Sequence, residues 1–337
     1  MIFALIGTAL AFTLTVLVCP LVIRLVKKWK AQQTILHYVE SHKAKSGTPT
    51  MGGLAFIFGI GAAALTLFRG EKRLGLVSVA VMAGYGLIGF LDDFIKVRLK
   101  RNLGLRAWQK IISQVLIAVI IAVFVYMNPY LGSSVYAPFS AKLLDLKWFI
   151  IPYIVLIFLA CTNSVNLTDG LDGLAGGVTA VYAAAFGAIV FIVAEYLRRE
   201  GAASGIVEEY NNLLILCGCL LGGTIGFLCY NTYPARIFMG DAGSLALGGV
   251  VGCLAIFTGL SLLVPILGVM YAASSLSVII QVLHFKRTKG KRVFLMAPLH
   301  HHFEKKGVFE GKIVAFYMII TLLVGIVCVG AYLYVFS

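Results

Sequence analysis

The chain has 337 residues, of which 60% are hydrophobic and 12% are charged, and its mean hydropathy is +0.96. This composition excludes soluble globular and disordered proteins, because uncharged runs repeatedly reach the ~17 to 25 residues that span a bilayer. The sequence therefore predicts an all-α polytopic integral membrane protein, in which residues 1–337 form a single transmembrane domain. The net charge of +14 must then lie mainly in its loops.

Ten apolar runs have the length of a membrane-spanning helix. The predicted spans lie near residues 2–23, 51–68, 74–91, 111–127, 148–163, 174–194, 212–230, 243–260, 263–283 and 313–335. Residues 242–283 carry no Asp, Glu, Lys or Arg, and at ~1.5 Å per residue one helix of that length would be about twice as long as the hydrocarbon core. A turn near residues 259–261, just ahead of Pro265, is the predicted break.

The basic residues are divided unevenly between the loops on the two sides. One set of loops holds 20 of the 28 Lys and Arg residues and comprises residues 24–50, 92–110, 164–173, 231–241 and 284–310. By the positive-inside rule this set is cytoplasmic, which places both termini outside the cytoplasm. Part of the positive charge can also attract an anionic substrate or anionic lipid headgroups. The seven cysteines, scattered mostly through apolar runs, predict no disulfide framework.

The first polar motif, residues 45–53, reads Lys-Ser-Gly-Thr-Pro-Thr-Met-Gly-Gly and leads into the second span. Small residues and hydroxyls beside a lysine can present backbone N–H groups to a phosphate, with Lys45 as a point charge. Lys45 and Thr50 are therefore candidate substrate ligands. A Pro/Gly turn that simply enters a helix explains the same residues.

Asp92 and Asp93 follow the third span, with Lys96 one turn further on. Successive helical residues point about 100° apart, so we expect different roles for the two carboxylates. A polar helix terminus is the alternative interpretation. Acidic groups at a helix C-terminus oppose the helix dipole, which favours a functional reason for the pair.

The third motif, residues 163–177, joins the fifth and sixth spans without a basic residue. It contains Asn166, Asp169 and Asp172, and the two aspartates would share one face if the segment is helical. Thr168 or Asp169 could cap the sixth helix, but capping explains only one aspartate.

Residues 231–244 join the seventh and eighth spans and contain Asn231, Phe238 and Asp241. Glycines at positions 240 and 243 allow close backbone approach to a ligand, and the Phe238 ring offers a flat surface on which a base could stack. Packing of a loop aromatic at the membrane interface is the alternative for Phe238.

Three consecutive histidines, His300 to His302, lie in the last and most basic of these loops. Their side chains diverge on a helix and no cysteine pair stands nearby, so we expect no zinc site. Hydrogen bonding to phosphate, or acid–base work near neutral pH, suits imidazoles in this place.

Together these motifs place carboxylates, lysines, histidines and glycine-rich turns on one membrane face. This chemistry is typical of a site for a phosphorylated substrate with Mg²⁺, which takes one or two protein carboxylates plus phosphate oxygens and water. Asp241, with help from Asp92 and Asp93, is the predicted magnesium ligand, and the catalytic base would come from the same group. The chain has no Walker A motif and no GxGxxG after a strand, so we expect no soluble-type nucleotide fold and no nucleic-acid partner.

These motifs resemble those of one known family. The segments GTPTMGG, FLDDFIKV, NSVNLTDGLDGLA, NTYPARIFMGDAGSLALGG and PLHHHFE occur in the order found in the phospho-N-acetylmuramoyl-pentapeptide transferases, within the polyprenyl-phosphate N-acetylhexosamine 1-phosphate transferase superfamily. The resemblance covers essentially the whole chain. It implies Mg²⁺-dependent transfer of phospho-MurNAc-pentapeptide from UDP-MurNAc-pentapeptide to undecaprenyl phosphate, giving lipid I and UMP, in the cytoplasmic membrane of a bacterium.

The resemblance also implies roles for particular residues. Asp92, Asp93 and Asp241 would be the essential carboxylates, with Asp241 the magnesium ligand and His300 a further catalytic group. The nucleotide and sugar-phosphate site would comprise Lys45, Thr50, Lys96, Asn166, Asp169, Asp172, Asn231, Phe238, His301 and His302, with Phe238 beside the uracil. The family is known to dimerise, so a homodimer in the membrane lipid is expected.

Three alternatives remain open at this point. Asp92 could orient or deprotonate the lipid phosphate for direct attack on the β-phosphate, or an aspartate could first form a phospho-sugar adduct. A sister transferase would use UDP-GlcNAc, although the LHHHFE ending speaks against it. A transporter would carry its charged residues deep in broken helices and not at span ends on one side.

Overall fold

The structure is a computed structural model that describes residues 1–29, 47–99, 104–128 and 130–336. Lys45, one of the predicted substrate ligands, lies outside the described residues. The helices are α1 (Ile2–Lys28), α2 (Gly53–Leu67), α3 (Arg73–Arg98), α4 (Ala107–Met127), α5 (Ile150–Thr168), α6 (Leu174–Arg199), α7 (Ser204–Asn231), α8 (Gly240–Phe257), α9 (Val264–Leu267), α10 (Val269–Arg287), α11 (Leu299–Lys305) and α12 (Glu310–Val335).

A short antiparallel hairpin interrupts the helices between α4 and α5. Its strands are β1 (Ser134–Tyr136) and β2 (Leu143–Asp145), with Val135 opposite Leu144. The hairpin is a small β addition to the predicted all-α fold.

Nine helices in the described part of the chain are long and apolar enough to cross a membrane, which agrees with a polytopic membrane protein. The predicted span 51–68 is the 15-residue helix α2, which at ~1.5 Å per residue is too short to cross the hydrocarbon core without tilt or thinning. The predicted span 263–283 is broken. The chain first forms the four-residue helix α9, which has Pro265 in its first turn. α10 starts only after Gly268.

Helix α3 ends seven residues later than the predicted span 74–91, at Arg98. Asp92 and Asp93 therefore lie inside the helix, and its last turn carries the basic residues Lys96 and Arg98. The expectation that the two aspartates oppose the dipole at a helix C-terminus is wrong, because they lie more than one turn before the end of α3. The last turn itself is basic, which is the arrangement that the helix dipole favours.

Helix α8 forms the centre of the bundle, with 89% of its residues buried, and α2, α3 and α5 pack against it. Glycines allow these contacts to be close. A Cβ at Gly53 would overlap the backbone of Gly243, and a Cβ at Gly89 would overlap the backbone carbonyl of Asp241. In the outer helices α1, α4 and α12 only 28% of the residues of the apolar stretch are buried, and the exposed side chains are largely apolar, as a lipid-facing surface requires.

Candidate active site

Three carboxylates meet at one end of the bundle. Asp92 and Asp93 come from α3, and Asp241 comes from the first turn of α8. One oxygen atom of each carboxylate lies within 4.8 Å of those of the other two. The close packing of Gly89 on the backbone of Asp241 brings the two helices near enough for this arrangement.

Two lysines compensate part of this negative charge. The Lys96 ammonium lies 2.6 Å from Asp92 Oδ2, 2.9 Å from Asp241 Oδ2 and 3.7 Å from Asp93 Oδ1. The Lys110 ammonium lies 2.8 Å from the same Asp241 oxygen. Among the described residues, three carboxylates face two ammonium groups, and this excess of negative charge favours binding of a cation.

Lys110 is a site residue that the sequence interpretation did not single out. It lies in the first turn and a half of α4, in a stretch that was counted only as part of the basic loop 92–110. The sequence feature that could have indicated a site residue is that Lys110 is the last charged residue before the fourth apolar run. Nothing local to Lys110 indicates that its partner is an aspartate 131 residues away.

Asp92 and Asp93 have different backbone partners, as their helical geometry predicts. Asp92 Oδ1 accepts the N–H of Leu105 at 2.7 Å, in the segment that leads into α4. Asp93 Oδ2 accepts the N–H of Ala242 at 3.1 Å, at the N-terminus of α8. The helix dipole favours negative charge at that terminus. Asp93 therefore connects α3 to α8, and Asp92 connects α3 to α4.

The first motif lies beside the carboxylates. The N–H of Gly52 donates to the carbonyl of Phe238 at 2.8 Å, so the two loops run side by side. Gly240 has a φ of +74°, and a Cβ there would lie 2.5 Å from Asp93 Oδ2 and 2.9 Å from Thr50 Oγ1. Thr50 is buried and Phe238 is partly buried next to this glycine. The absence of a side chain at Gly240 therefore lets both loops approach the cluster.

Asn166 holds the Asp241 carboxylate from the other side. Its Nδ2 donates to Asp241 Oδ1 at 2.7 Å and to Ser244 Oγ at 2.8 Å. The second oxygen of Asp241 contacts Lys96 and Lys110. A carboxylate with both oxygens engaged has a defined orientation, which suits a metal ligand.

The segment after α5 differs from its prediction. α5 ends at Thr168 and α6 begins at Leu174, so Asp169 and Asp172 lie in a turn and do not share a helical face. The residue that precedes α6 is Gly173, with a φ of +80° and no side-chain cap, so the predicted capping by Thr168 or Asp169 is wrong. A left-handed glycine reverses the chain direction here, which a continuing helix cannot do.

Asp169 lies in this turn, near the carboxylate cluster. Burial raises the pKa of Asp169 well above its usual range, and the charges of Asp241, Asp93 and Asp172 add to the rise. Asp169 therefore holds a proton at a higher pH than an exposed aspartate does.

Asp172 and Asn231 join two loops through backbone hydrogen bonds. Asp172 Oδ2 accepts the N–H of Ala235 at 2.9 Å, and Asn231 Oδ1 accepts the N–H of Gly173 at 3.1 Å. Both side chains are buried. The N–H of Asp172 in turn donates to the carboxylate of Glu310 on α12, a residue that the sequence interpretation did not include. These bonds hold the turn 169–173 against the loop that leads to Asp241.

The three histidines lie on α11 in three different surroundings. His300 is fully buried, its Nε2 packs against Gly170, and within the described residues neither ring nitrogen has a hydrogen-bond partner. Burial lowers the pKa of His300 to about 3, and the neighbouring His301 adds to the shift. His301 Nδ1 lies 2.9 Å from Glu304 Oε2, and His302 Nδ1 accepts a backbone N–H at 3.1 Å. His300 is therefore neutral at pH 7, which does not suit acid–base work near neutral pH.

The structure thus sorts the predicted site residues into groups. The cluster and its direct contacts comprise Asp92, Asp93, Lys96, Asn166 and Asp241, and Thr50 and Asp169 lie nearby. Asp172, Asn231 and Phe238 lie in the adjoining loops, and His300, His301 and His302 lie on α11, which contacts the turn 169–173. The donor set of three close carboxylates fits a hard divalent cation such as Mg²⁺.

Membrane-length helices with a cluster of carboxylates and lysines at one end of the bundle are typical of membrane-embedded enzymes that act on charged substrates. Residues 75–259 match glycosyl transferase family 4, and residues 45–57 match signature 1 of phospho-N-acetylmuramoyl-pentapeptide-transferase.

Three similar proteins, each named phospho-N-acetylmuramoyl-pentapeptide-transferase, show the extent of the match. The protein of Clostridium novyi is 42% identical over 93% of this chain and 92% of its own length. That of Desulfitobacterium hafniense is 43% identical over 97% of both chains, and that of Thermoanaerobacter pseudethanolicus is 45% identical over 94% of this chain and 95% of its own. The chain therefore belongs to the phospho-N-acetylmuramoyl-pentapeptide-transferase family, which confirms the resemblance read from its motifs.

Proposed function

We propose that this protein transfers phospho-MurNAc-pentapeptide from UDP-MurNAc-pentapeptide to undecaprenyl phosphate, forming lipid I and UMP. This reaction is the first membrane step of peptidoglycan synthesis in the bacterial cell wall. Family membership over nearly the full length of the chain supports the choice of donor and acceptor.

The observation that carries the proposal is the cluster of Asp92, Asp93 and Asp241 with Lys96 and Lys110 at the ends of membrane-length helices. A lipid phosphate at the membrane surface and a water-soluble nucleotide-sugar can meet at such a place. Transfer of a phosphoryl group depends mainly on positioning and on stabilisation of charge, which this set of side chains supplies.

The cofactor in this proposal is Mg²⁺, with Asp241 as its principal protein ligand and Asp92 and Asp93 beside it. The bound ion would neutralise negative charge on the donor phosphates. Asn166 keeps the Asp241 carboxylate oriented, and Lys96 adds positive charge on the opposite oxygen. The net negative charge of the cluster supports binding of a cation in addition to the lysines.

In the direct route, Asp92 orients or deprotonates the lipid phosphate. An oxygen of that phosphate forms a bond to the β-phosphorus of the donor, the bond from that phosphorus to the bridging oxygen breaks, and UMP leaves with the bonding electrons. Lys96 or Lys45 offsets the charge that develops on UMP. Asp93, which also accepts the N–H of Ala242, keeps α3 and α8 together during the reaction.

The alternative route forms an aspartyl phospho-sugar adduct first. Mass spectrometry of the intact protein after incubation with UDP-MurNAc-pentapeptide alone distinguishes the two. A covalent adduct formed with release of one UMP would contradict the direct route. Absence of an adduct under single-turnover conditions, with full turnover once the lipid is added, would contradict the two-step route.

The substrate side of the site is proposed to include Lys45, Thr50, Asn166, Asp169, Asp172, Asn231, Phe238, His301 and His302, with Phe238 beside the uracil. Asp172 and Asn231 act through the loops that they join, since their side chains are occupied by backbone groups. Because His300 is buried and neutral, we assign proton transfer to the aspartates and give His300 the role of supporting the turn 169–173.

We further propose that residues 1–337 act as one catalytic domain in the inner membrane, with the site facing the cytoplasm and both termini outside. The excess of Lys and Arg in the loops on the site's side supports this orientation. The homodimer that the family resemblance implies is part of the proposal. Cross-linking in native membranes would test the dimer.

The function is tested by UMP release from the purified protein with undecaprenyl phosphate and each donor in turn. We expect release from UDP-MurNAc-pentapeptide that is abolished by EDTA and restored by Mg²⁺, and none from UDP-GlcNAc. Turnover with UDP-GlcNAc alone would contradict the choice of donor. Full activity in Asp92→Asn, Asp93→Asn and Asp241→Asn would contradict the site even if the reaction occurs.

A further inference from the structure

A fully buried glutamine lies next to the carboxylate cluster and takes no part in the proposed chemistry. Gln114 belongs to α4, and its Oε1 accepts hydrogen bonds from Asn163 Nδ2 at 2.8 Å and from Thr162 Oγ1 at 3.2 Å, both on α5. Within the described residues its Nε2 has no hydrogen-bond partner. A buried amide without a partner is unfavourable, and an apolar side chain of similar size would avoid this cost.

The bond between Gln114 and Asn163 lies one helical turn from the contacts that hold Asp241. Lys110 precedes Gln114 by four residues, and Asn166 follows Asn163 by three, so each pair shares one helical face. Lys110 and Asn166 contact the two oxygens of Asp241 at 2.8 and 2.7 Å. The separation of α4 and α5 at Gln114 therefore determines how closely Lys110 and Asn166 enclose the carboxylate.

The helices that carry the three aspartates also meet at this point. The hydroxyl of Tyr85 on α3 donates to the backbone carbonyl of Gln114 at 3.0 Å. On α8, a Cβ at Gly248 would overlap the backbone of Thr162, the residue whose hydroxyl contacts Gln114. The helices that supply the carboxylates, the lysines and Asn166 thus meet at Gln114 or at its partner Thr162.

We propose that Gln114 is a positioning residue, which fixes the spacing of α4 and α5 and so holds Lys110 and Asn166 against Asp241. The hydrogen bond that its Oε1 accepts from Asn163 offsets the cost of its Nε2, which has no partner among the described residues. Its effect on turnover rests on the proposed function, but its effect on the geometry of the cation site does not.

The test compares Gln114→Leu with wild type and with Asn212→Leu. Asn212 is also buried and makes three hydrogen bonds, but it does so with the backbone of Arg69 and Glu71, in the loop that precedes α3. Mg²⁺ binding is measured by calorimetry on the purified full-length protein without substrate. The kcat, the KM for the donor and the melting temperature are measured in parallel.

We expect Gln114→Leu to weaken Mg²⁺ binding and to lower kcat by about 10-fold each, with the KM for the donor changed less than about twofold, as for residues that orient metal ligands. Asn212→Leu should lower the melting temperature while Mg²⁺ binding and kcat stay near wild type. Wild-type Mg²⁺ binding in Gln114→Leu, or equal losses in the two variants, would overturn the proposal.

A second pair of variants decides the matter if Gln114→Leu does not fold. Gln114→Asn shortens the side chain by one methylene group and should break the bond to Asn163. Adding Asn163→Gln to the same chain restores the reach, and we expect Mg²⁺ binding to recover. A double variant no better than Gln114→Asn overturns the proposal. If wild type binds Mg²⁺ but releases no UMP, the proposed function fails, and the Mg²⁺ comparison still tests Gln114.

Discussion

Two polar networks lie at opposite ends of α3 and are built in different ways. Near its start, the Glu209 carboxylate accepts the backbone N–H groups of Arg73 and Leu74 at 2.7 and 3.0 Å. Asn212 adds three hydrogen bonds to the backbone just ahead of them. Near the end of α3, the aspartates 92, 93 and 241 face one another and two lysine ammonium groups.

The difference separates a structural network from a functional one. At the start of α3, backbone groups satisfy the carboxylate and the amide, so the network caps the helix and closes its loop. At the other end, like charges lie within 4.8 Å and two lysines offset them only in part. A cation or a phosphorylated substrate can relieve that unfavourable arrangement, which is why such clusters are typical of active sites.

The largest effect should come from Asp241, which contacts both lysines and Asn166. We expect Asp241→Asn to lower kcat for UMP release by about 10³-fold, the scale found when a group that stabilises transition-state charge is removed. The melting temperature should fall only slightly, because the loss of attraction to both lysines is partly offset by the loss of repulsion from Asp92 and Asp93. UMP release and thermal unfolding are measured on the same preparation. Activity above a tenth of wild type would contradict the functional role of this network.

Lys110 tests whether the lysines belong to the function or merely neutralise charge. Lys110→Met should lower kcat by about 10²-fold, because it removes one of the two ammonium groups that contact Asp241 Oδ2. Lys142→Met, which removes an exposed lysine near the hairpin, is the matched control and should keep wild-type kcat. Equal activity of the two variants at saturating substrates would count against a role for Lys110.

His300 lies beside the site but resembles neither network, since it is buried and its ring nitrogens have no hydrogen-bond partner in the part of the chain that the structure describes. Its pKa is about 3 in the folded protein and about 6.5 when unfolded, so the stability from burying the neutral ring is complete above pH 6.5 and is lost as the pH falls toward 3. At pH 5 the loss is about 2 kcal/mol.

Thermal unfolding between pH 7.5 and pH 5 checks this expectation. Wild type should lose more stability over that interval than His300→Gln, whose amide does not titrate. Identical pH profiles would show that His300 becomes protonated without cost, contrary to its burial.

The smallest effect should come from the structural network. Glu209→Gln replaces one acceptor oxygen by an amide nitrogen that cannot accept a backbone N–H, and should cost about 1 to 2 kcal/mol of stability. The melting temperature should fall by a few degrees while kcat and its Mg²⁺ dependence remain those of wild type. A fall in kcat without a fall in melting temperature would remove the distinction between the two ends of α3.

Much of the helical architecture was predictable, because bilayer thickness imposes a minimum length on apolar runs. The incorrect predictions concern helix ends and breaks, which the length of an apolar run does not determine. α2 is shorter than its predicted span, the predicted span 263–283 breaks at Gly268, and α3 continues past the apolar run to Arg98. Helix ends depend on turn geometry and capping, which hydropathy does not measure.

The candidate site was predictable to the extent that its residues are unusual in apolar surroundings. Asp92, Asp93, Asp169 and Asp241 stood out for that reason. Lys110 and Gln114 did not, because a lysine in a basic loop and a glutamine in an apolar helix have ordinary local explanations. Their partners lie 131 and 49 residues away along the chain, at distances that only helix packing determines.

The sequence by itself determined that the chain is a polytopic membrane protein of this transferase family and that its carboxylates gather in a few loops. Composition, run length and motif order are local properties, and they suffice for those conclusions. Only the tertiary structure decided which carboxylate oxygens face which ammonium groups. It also showed that Asp172 accepts a backbone N–H and that a buried glutamine joins α4 to α5. These relations depend on how closely glycines let the helices pack, a property that no single segment carries.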